Sequence, residues 1–389
     1  MNKDYINILS VPFENQVKPF SIESGYFIFT LMPSLRCSLN CPHCYLSLDQ
    51  RRNSPIMSLE DLEKTAKKVY EYYQKNKIKN KMIIFYWYGG EPTEMGIEYF
   101  QKATEILNRN LPDSEGYTKK HTILTSLLTI DEAAWFPFFR DNCQNHFQSS
   151  FDGMMRGGKV YLRKWEEKIR KAKDFGLDIG TISVVNQEIL KVGPIETLEY
   201  LSSLGIKEIS FLPFMWNEQN NGKSYDKYAP TMDAWSNFMI DISKHYFKMK
   251  KEGKFVPEIG QQSFVLHQMN QPMMANVAAQ TLFLLPDGDF VLPDYKNGYQ
   301  EYMRSFGNIL TNSFEEILSG KERRAYLRKQ VLRDDNEECI NCDHADKCVM
   351  EFWKKNRTGD DCFGGKKYIE WLLNEYKREN LDTFKNIPY

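Results

Sequence analysis

Apolar, β-branched or aromatic runs alternate with amphipathic charged segments from Tyr26 to about Pro213. The runs read as strands over Tyr26–Met32, Met82–Tyr88, His121–Thr125, His146–Phe151, Asp178–Val185 and Glu208–Pro213. The segments between them predict helices over Ser58–Lys75, Ile97–Asn108, Asp131–Arg140, Tyr161–Phe175 and Pro194–Leu204. Ser58-Leu59-Glu60-Asp61 and Asp131-Glu132 supply capping oxygens and acids for the first turns. Strands that alternate with helices in this way predict a parallel sheet joined by right-handed crossovers. Six repeats are too few to close an eightfold barrel, so the fold class is α/β, a partial (β/α)6 TIM barrel. Its chemistry is expected at the C-terminal ends of the strands.

Beyond the alternation, residues 216–230 are polar and rich in Gly and Asn and read as a loop. A helix over Met232–Lys251 carries Trp235, Phe238, Met239, Ile242 and Tyr246 on one face, a spacing that predicts core packing. Gln261–Ala279 is rich in methionine and glutamine. Leu282–Pro293 reads as a hairpin turning on Asp287-Gly288, followed by a short helix over Ser313–Leu318. The expected division is an N-terminal segment (1–25), the barrel (26–215), a helical linker (216–280) and a small α+β C-terminal domain (281–389).

Composition narrows the setting. The chain has 389 residues, 42% of them apolar, and a net charge of −1, without the polybasic footprint of a nucleic-acid or anionic-membrane partner. No run of 18 apolar residues occurs, and Met1-Asn2-Lys3-Asp4-Tyr5 lacks the layout of a signal peptide, so a cytoplasmic location is expected. In that compartment the eight cysteines read as metal ligands before disulfides. Seven fall in two groups, residues 37–44 and 339–362, while Cys143 reads as a buried small hydrophobe.

The first group, Cys37-x3-Cys41-x2-Cys44, follows directly on the first strand. Three soft ligands in so short a loop suit iron–sulfur or zinc chemistry. Zinc in a closed structural site takes four ligands, and His43 is the available fourth. Trp87-Tyr88-Gly89-Gly90-Glu91-Pro92 follows the second strand, with two glycines for close backbone approach and a carboxylate able to accept from an ammonium. Taken alone it also fits a plain strand-to-helix turn. The second group, Cys339-x2-Cys342-x5-Cys348 and then Cys362, is a complete four-thiolate set, with zinc as the plain structural alternative.

With His43 before its last cysteine, the Cys37/Cys41/Cys44 loop resembles the cluster loop of the radical S-adenosylmethionine (radical SAM) superfamily. The resemblance implies a [4Fe–4S] cluster on these three cysteines, its open iron taking SAM, and reductive cleavage of SAM to a 5′-deoxyadenosyl radical. Gly89, Gly90 and Glu91 resemble the element that holds the methionine amino group. Gln148-Ser149-Ser150-Phe151-Asp152-Gly153 resembles the end of the fourth strand, which implies Ser150 and Arg163 as SAM-carboxylate contacts, with Arg156 competing for that place. Thr125-Ser126-Leu127-Leu128 departs from the family's Thr-Asn-Gly, and Asn186 stands where the fifth strand ends near the adenosine, a position that a turn asparagine also fills.

The C-terminal cysteines resemble a SPASM/twitch extension. They imply one auxiliary [4Fe–4S] cluster on Cys339, Cys342, Cys348 and Cys362. Pro293 and Phe352 occupy places where a second auxiliary cluster would need cysteines. Two clusters in total are therefore expected, making the C-terminal part a small iron–sulfur domain. Asp294 falls where sulfatase maturases carry a proton acceptor. The implied activity is that of a radical SAM oxidoreductase, a peptide maturase that abstracts a side-chain hydrogen from a ribosomal precursor peptide to form a crosslink or an oxidised residue. The single-cluster tail and compact length resemble those of cyclophane-forming maturases, which implies a crosslink from an aromatic ring to the β-carbon of a nearby residue. Expected partners are the precursor peptide and an electron donor such as flavodoxin or ferredoxin, with no nucleic acid and no membrane. The alternatives are a superfamily enzyme acting on a sugar, nucleoside or amino acid, and a zinc-binding interaction protein.

Overall fold

The computed structural model describes residues 27–217, 219, 223–270, 281–291, 305–323, 337–344, 348 and 359–379. Two compact units are interleaved along the chain, one drawn from residues 1–39, 46–147 and 276–332, the other from 40–45, 148–275 and 333–389.

In the first unit, β1 (Phe27–Leu31), β2 (Met82–Trp87) and β3 (Thr118–Thr125) pair in parallel, in register Leu31↔Trp87↔Ile123. Ile83, Phe85 and Trp87 are buried in strict alternation along β2, the period that a pleated strand imposes. The helix Leu59–Lys75 begins where Ser58 Oγ accepts from Asp61 N, and it buries Leu62, Thr65, Ala66, Val69 and Tyr73, spaced as one helical face. Ile97–Asn110 and Glu132–Asn142 connect the next strands, the latter capped by Asp131. Cys143 is buried at its end, as expected of a small hydrophobe.

The second unit takes up the alternation. It contains most of β4 (His146–Ser150), together with β5 (Asp178–Val185) and β6 (Glu208–Pro213) in parallel register. The short strand β7 (Glu258–Ile259) extends it beyond β6. Gly158–Phe175 stops at Gly176, whose φ of 92° is the left-handed cap a glycine adopts at little cost. Within residues 216–230, expected as loop, Lys223–Tyr228 is helical. In Met232–Lys251 the five apolar residues expected on one face are all buried. Trp235 meets Tyr368 of the helix Lys366–Glu379 at 6.2 Å, and Ser243 Oγ lies 3.2 Å from Tyr368 Oη.

The C-terminal portion is divided between the two units. β8 (Thr281–Leu284) and β9 (Asp289–Val291) form the hairpin on Asp287-Gly288, continued by β10 (Ser305–Asn308). β8, however, pairs in parallel with β1, so 281–323 belongs to the first unit and 337–379 to the second. The physical reason is the free edge of β1, whose backbone groups need partners that β2 cannot supply. Phe290 and Phe314 then close over Phe29, at 5.3 and 6.1 Å between rings. Lys68 Nζ ties the segment down by donating to the carbonyls of Ile309 and Asn312 at 2.6 and 2.8 Å. Among the described residues, no helix is long and apolar enough to cross a membrane.

The N-terminus of Met232–Lys251 is capped from far along the chain. Asp360 accepts from the backbone N–H of Met232 at 2.9 Å and of Asp233 at 2.7 Å, beside the local cap Thr231. A carboxylate on two orphan amides is a charge-assisted cap. Asp360→Ala should lower unfolding stability by about 1–2 kcal/mol, read as a shift in urea midpoint at unchanged slope.

Candidate functional site

The lead-in to the cysteine loop is held by backbone and side-chain hydrogen bonds to residues 51–54. Past β1, Leu35 N donates to Ser54 Oγ at 3.0 Å, Arg36 Nε to Ser54 O at 2.7 Å, and Cys37 N to Arg51 O at 3.0 Å. On its other side lies the Gly-Gly-Glu segment. Gly90 N donates to Ser34 O at 3.1 Å and Glu91 N to Arg36 O at 2.8 Å. A Cβ on Gly89 would collide with Ser34 O, and one on Gly90 with the carbonyls of Arg36 and Leu35. The glycines thus admit the segment that presents Cys37. Close approach is what they are for, but here the approaching group is protein backbone.

Glu91 is buried, and its carboxylate is already well supplied with donors. Oε1 accepts from Thr93 Oγ1 and Thr125 Oγ1, both at 2.7 Å, and Oε2 accepts from Ser126 N at 2.8 Å. Thr125 and Ser126 belong to the stretch that departs from the family pattern, so that stretch orients the carboxylate. Sequence reasoning left this role out, although hydroxyls at the C-terminal end of β3 were its visible sign. At the family's glycine position, Leu127 adopts φ 64° and is fully buried, with its N–H on Thr125 Oγ1 at 3.0 Å. Glu94 adds a second link to the loop by accepting from Ser38 N at 2.9 Å.

The later part of the loop packs within the second unit. Cys44 N donates to Cys41 O at 3.1 Å, and Asn217 Nδ2 to His43 O at 3.3 Å. The His43 ring lies edge-on to Phe214 at 6.2 Å, with Nε2 3.7 Å from Asp152 Oδ2. Burial, partly opposed by Asp152, lowers the His43 pKa to about 4, so the ring is neutral near pH 7. Asp152 is itself 1% exposed. Arg156 Nε and Nη2 donate to its Oδ2 at 2.9 and 2.6 Å, and Val184 N to its Oδ1 at 2.7 Å. Burial alone would raise the Asp152 pKa, but Arg156, His43 and the Val184 amide outweigh it and hold the group below its usual value. Burial likewise works against the charge on Arg156, and Cys41 and Asp152 overcome it.

The other expected contacts fall in different settings. Ser150 is half-buried at the end of β4, while its neighbour Ser149 is buried and accepts from Trp165 Nε1 at 2.9 Å. Arg163 lies on the exposed face of Gly158–Phe175, whereas the Arg156 side chain is 9% exposed and paired with Asp152. Asn186 acts as a helix cap. Its Oδ1 accepts from Glu188 N and Ile189 N, and its Nδ2 donates to the carbonyls of Asp152 and Val184. All its polar capacity is used within the protein. Asp294, Pro293 and Phe352 lie outside the described residues.

In the C-terminal group, Cys339 sits in the short helix Glu337–Ile340, and Cys342 N donates to Cys339 O at 3.2 Å. Cys342 Sγ accepts from His344 N at 3.4 Å and Cys362 Sγ from Lys366 N at 3.2 Å. A Cβ on Gly364 would collide with Cys348 Sγ and lie 3.8 Å from Cys362 Sγ, so the missing side chain leaves room where these sulfurs converge. Burial pushes the Cys362 thiol up to about 12, which keeps it protonated unless a cationic centre stabilises the thiolate. Among the described residues no group of three or more His, Cys, Asp or Glu side chains is gathered to hold a metal ion. The fit to iron–sulfur chemistry rests on donor type and on the space beside Gly364.

Comparison with known proteins gives the class. Residues 276–343 match the model of the SPASM family, an iron–sulfur cluster-binding domain. The serine-type anaerobic sulfatase-maturating enzyme of Klebsiella aerogenes is 23% identical over 270 residues, 67% of this chain and 64% of that protein. Its counterpart in Klebsiella pneumoniae is 24% identical over 234 residues, 58% of this chain and 56% of that one. The match therefore spans less than two thirds of these relatives' own length. Native anSMEcpe with bound AdoMet superposes with a TM-score of 0.72 at 17% identity, covering 94% of this chain and 100% of that one. Streptococcus suis SuiB bound to its precursor peptide SuiA gives 0.58 at 14%, covering 84% and 71%. The fold is the partial barrel of radical SAM proteins. The likeness to a SPASM segment is confined to residues 276–343.

Gly90→Ala should cost about 1–3 kcal/mol through overpacking of backbone on backbone. Urea unfolding of the metal-free chain measures the loss apart from any effect of a cofactor.

Proposed function

We propose that this protein is a radical SAM maturase that abstracts a side-chain hydrogen from a ribosomal precursor peptide. The observation that carries the reading is the docking of Ser34–Arg36 on Gly89-Gly90-Glu91, which fixes Cys37 beside an oriented, buried carboxylate. Cys37, Cys41 and Cys44 would hold one [4Fe–4S] cluster, and Cys339, Cys342, Cys348 and Cys362 a second. With SAM, the first cluster supplies one-electron cleavage of the sulfonium to methionine and a hydrogen-abstracting 5′-deoxyadenosyl radical.

The chain's own residues bind, orient and exclude water. Glu91 accepts from the methionine ammonium of SAM, with Thr93, Thr125 and Ser126 fixing its two oxygens. Ser150 and an arginine, Arg163 or Arg156, serve the SAM carboxylate. Asp294 would take the proton released as the substrate radical is oxidised, and a cluster held by Cys339, Cys342, Cys348 and Cys362 would supply one-electron acceptor chemistry when bound. An aromatic-to-Cβ crosslink is the product favoured by a tail with a single auxiliary cluster. A peptide substrate is supported by the relatives that mature sulfatases and by solved structures of the same fold bound to peptides. A flavodoxin or ferredoxin in the cytoplasm would supply the electron.

Anaerobically reconstituted protein should bind about eight irons per chain, two clusters of four, and release 5′-deoxyadenosine from SAM with dithionite. Cys41→Ala should abolish that release while retaining about half of the iron. Wild-type protein that takes up iron yet leaves SAM intact would refute the assignment. Asp294→Asn should slow product formation on a co-expressed peptide, followed by mass spectrometry. Unchanged product and unchanged SAM cleavage would remove Asp294 from the mechanism.

A further inference from the structure

Asp152 joins three elements that are distant in sequence. Its carboxylate holds the guanidinium of Arg156 in the turn Gly153–Arg156, accepts from Val184 N at the end of β5, and faces His43 of the cysteine loop. The Asp152 side chain is 1% exposed and that of Arg156 9%. Burial of such a pair is costly unless each charge is well placed. Asp152 is neutralised by Arg156. The oxygen that takes both Arg156 donors, Asp152 Oδ2, lies 3.7 Å from Nε2 of His43, which stands between Cys41 and Cys44, so the ion pair sits against the cysteine loop, and Cys41 and Asp152 both favour the charge on Arg156.

We propose that Arg156, anchored by Asp152, is a positioning residue that sets the charge around Cys41 and hence the reduction potential of the cluster held there. The inference rests on the reading of Cys41 as a cluster ligand. Reduction of a [4Fe–4S] cluster by one electron, supplied by dithionite in the test, adds one negative charge to the group. A buried guanidinium nearby favours the reduced form, and a buried carboxylate disfavours it. The two halves of one ion pair therefore act with opposite sign, which a purely structural role would not produce.

The test is a redox titration followed by electron paramagnetic resonance on the reconstituted full chain. A chain carrying Cys37→Ala, Cys41→Ala and Cys44→Ala supplies the signal of the C-terminal site for subtraction. Arg156→Gln should make the potential of the N-terminal signal more negative, by about a tenfold change in the reduced fraction, or 59 mV for one electron. Arg156→Lys should stay near wild type, and Asp152→Asn should move the potential the other way. Shifts of the same sign in Arg156→Gln and Asp152→Asn, or none, would overturn the proposal. If Arg156→Gln does not fold, Asp152→Asn decides alone, since an unchanged or more negative potential refutes the idea. A wild-type chain without an N-terminal signal would instead refute the proposed function itself.

Discussion

Two carbonyl oxygens, those of Leu35 and Arg36, stand where a side chain on Gly90 would have to be. The first half of the candidate site depends on that contact, because it lets the segment leading to Cys37 hydrogen-bond directly to the segment that ends in Glu91. A backbone-to-backbone contact has no rotamers to lose, so it fixes position at low entropic cost. The position of Cys37 and that of the Glu91 backbone are then set by the register of β1 on β2, and their precision derives from the sheet.

The carboxylates of Glu91 and Asp152 are handled differently. Glu91 is surrounded by neutral hydroxyl and amide donors. Among the described residues its carboxylate oxygens meet hydroxyls and an amide, not a cation. Asp152 already has its cation, and its place is to hold that cation and the end of β5 together. The two buried acids are thus supported by different means, one by neutral donors and one by an ion pair.

Much of the fold was legible because each element obeys its own period. Leu62, Thr65, Ala66, Val69 and Tyr73 trace a helix face, and Ile83, Phe85 and Trp87 a strand face, before any contact is known. The pairing of β8 with β1 was hidden, since no local pattern encodes which distant strand a parallel edge will take. At the site, cysteines and glycines were legible through spacing. Arg156 and Arg163 were not separable in that way, because the tight turn at Gly153–Arg156 folds the nearer arginine back onto Asp152 and leaves the farther one on a solvated helix face. Thr125 and Ser126 were obscured by their departure from a familiar motif, although their hydroxyl and amide groups perform a recognisable task.

The edge that β8 covers carries a cost in time. Ile28 pairs with Thr281, roughly 250 residues away, so a ribosome must release most of the chain before that ladder can form. Until then β1 offers an open template to any other extended segment, the situation in which nascent proteins stick to one another. Slow synthesis or chaperone shelter during that interval should therefore govern how much of this protein is recovered intact.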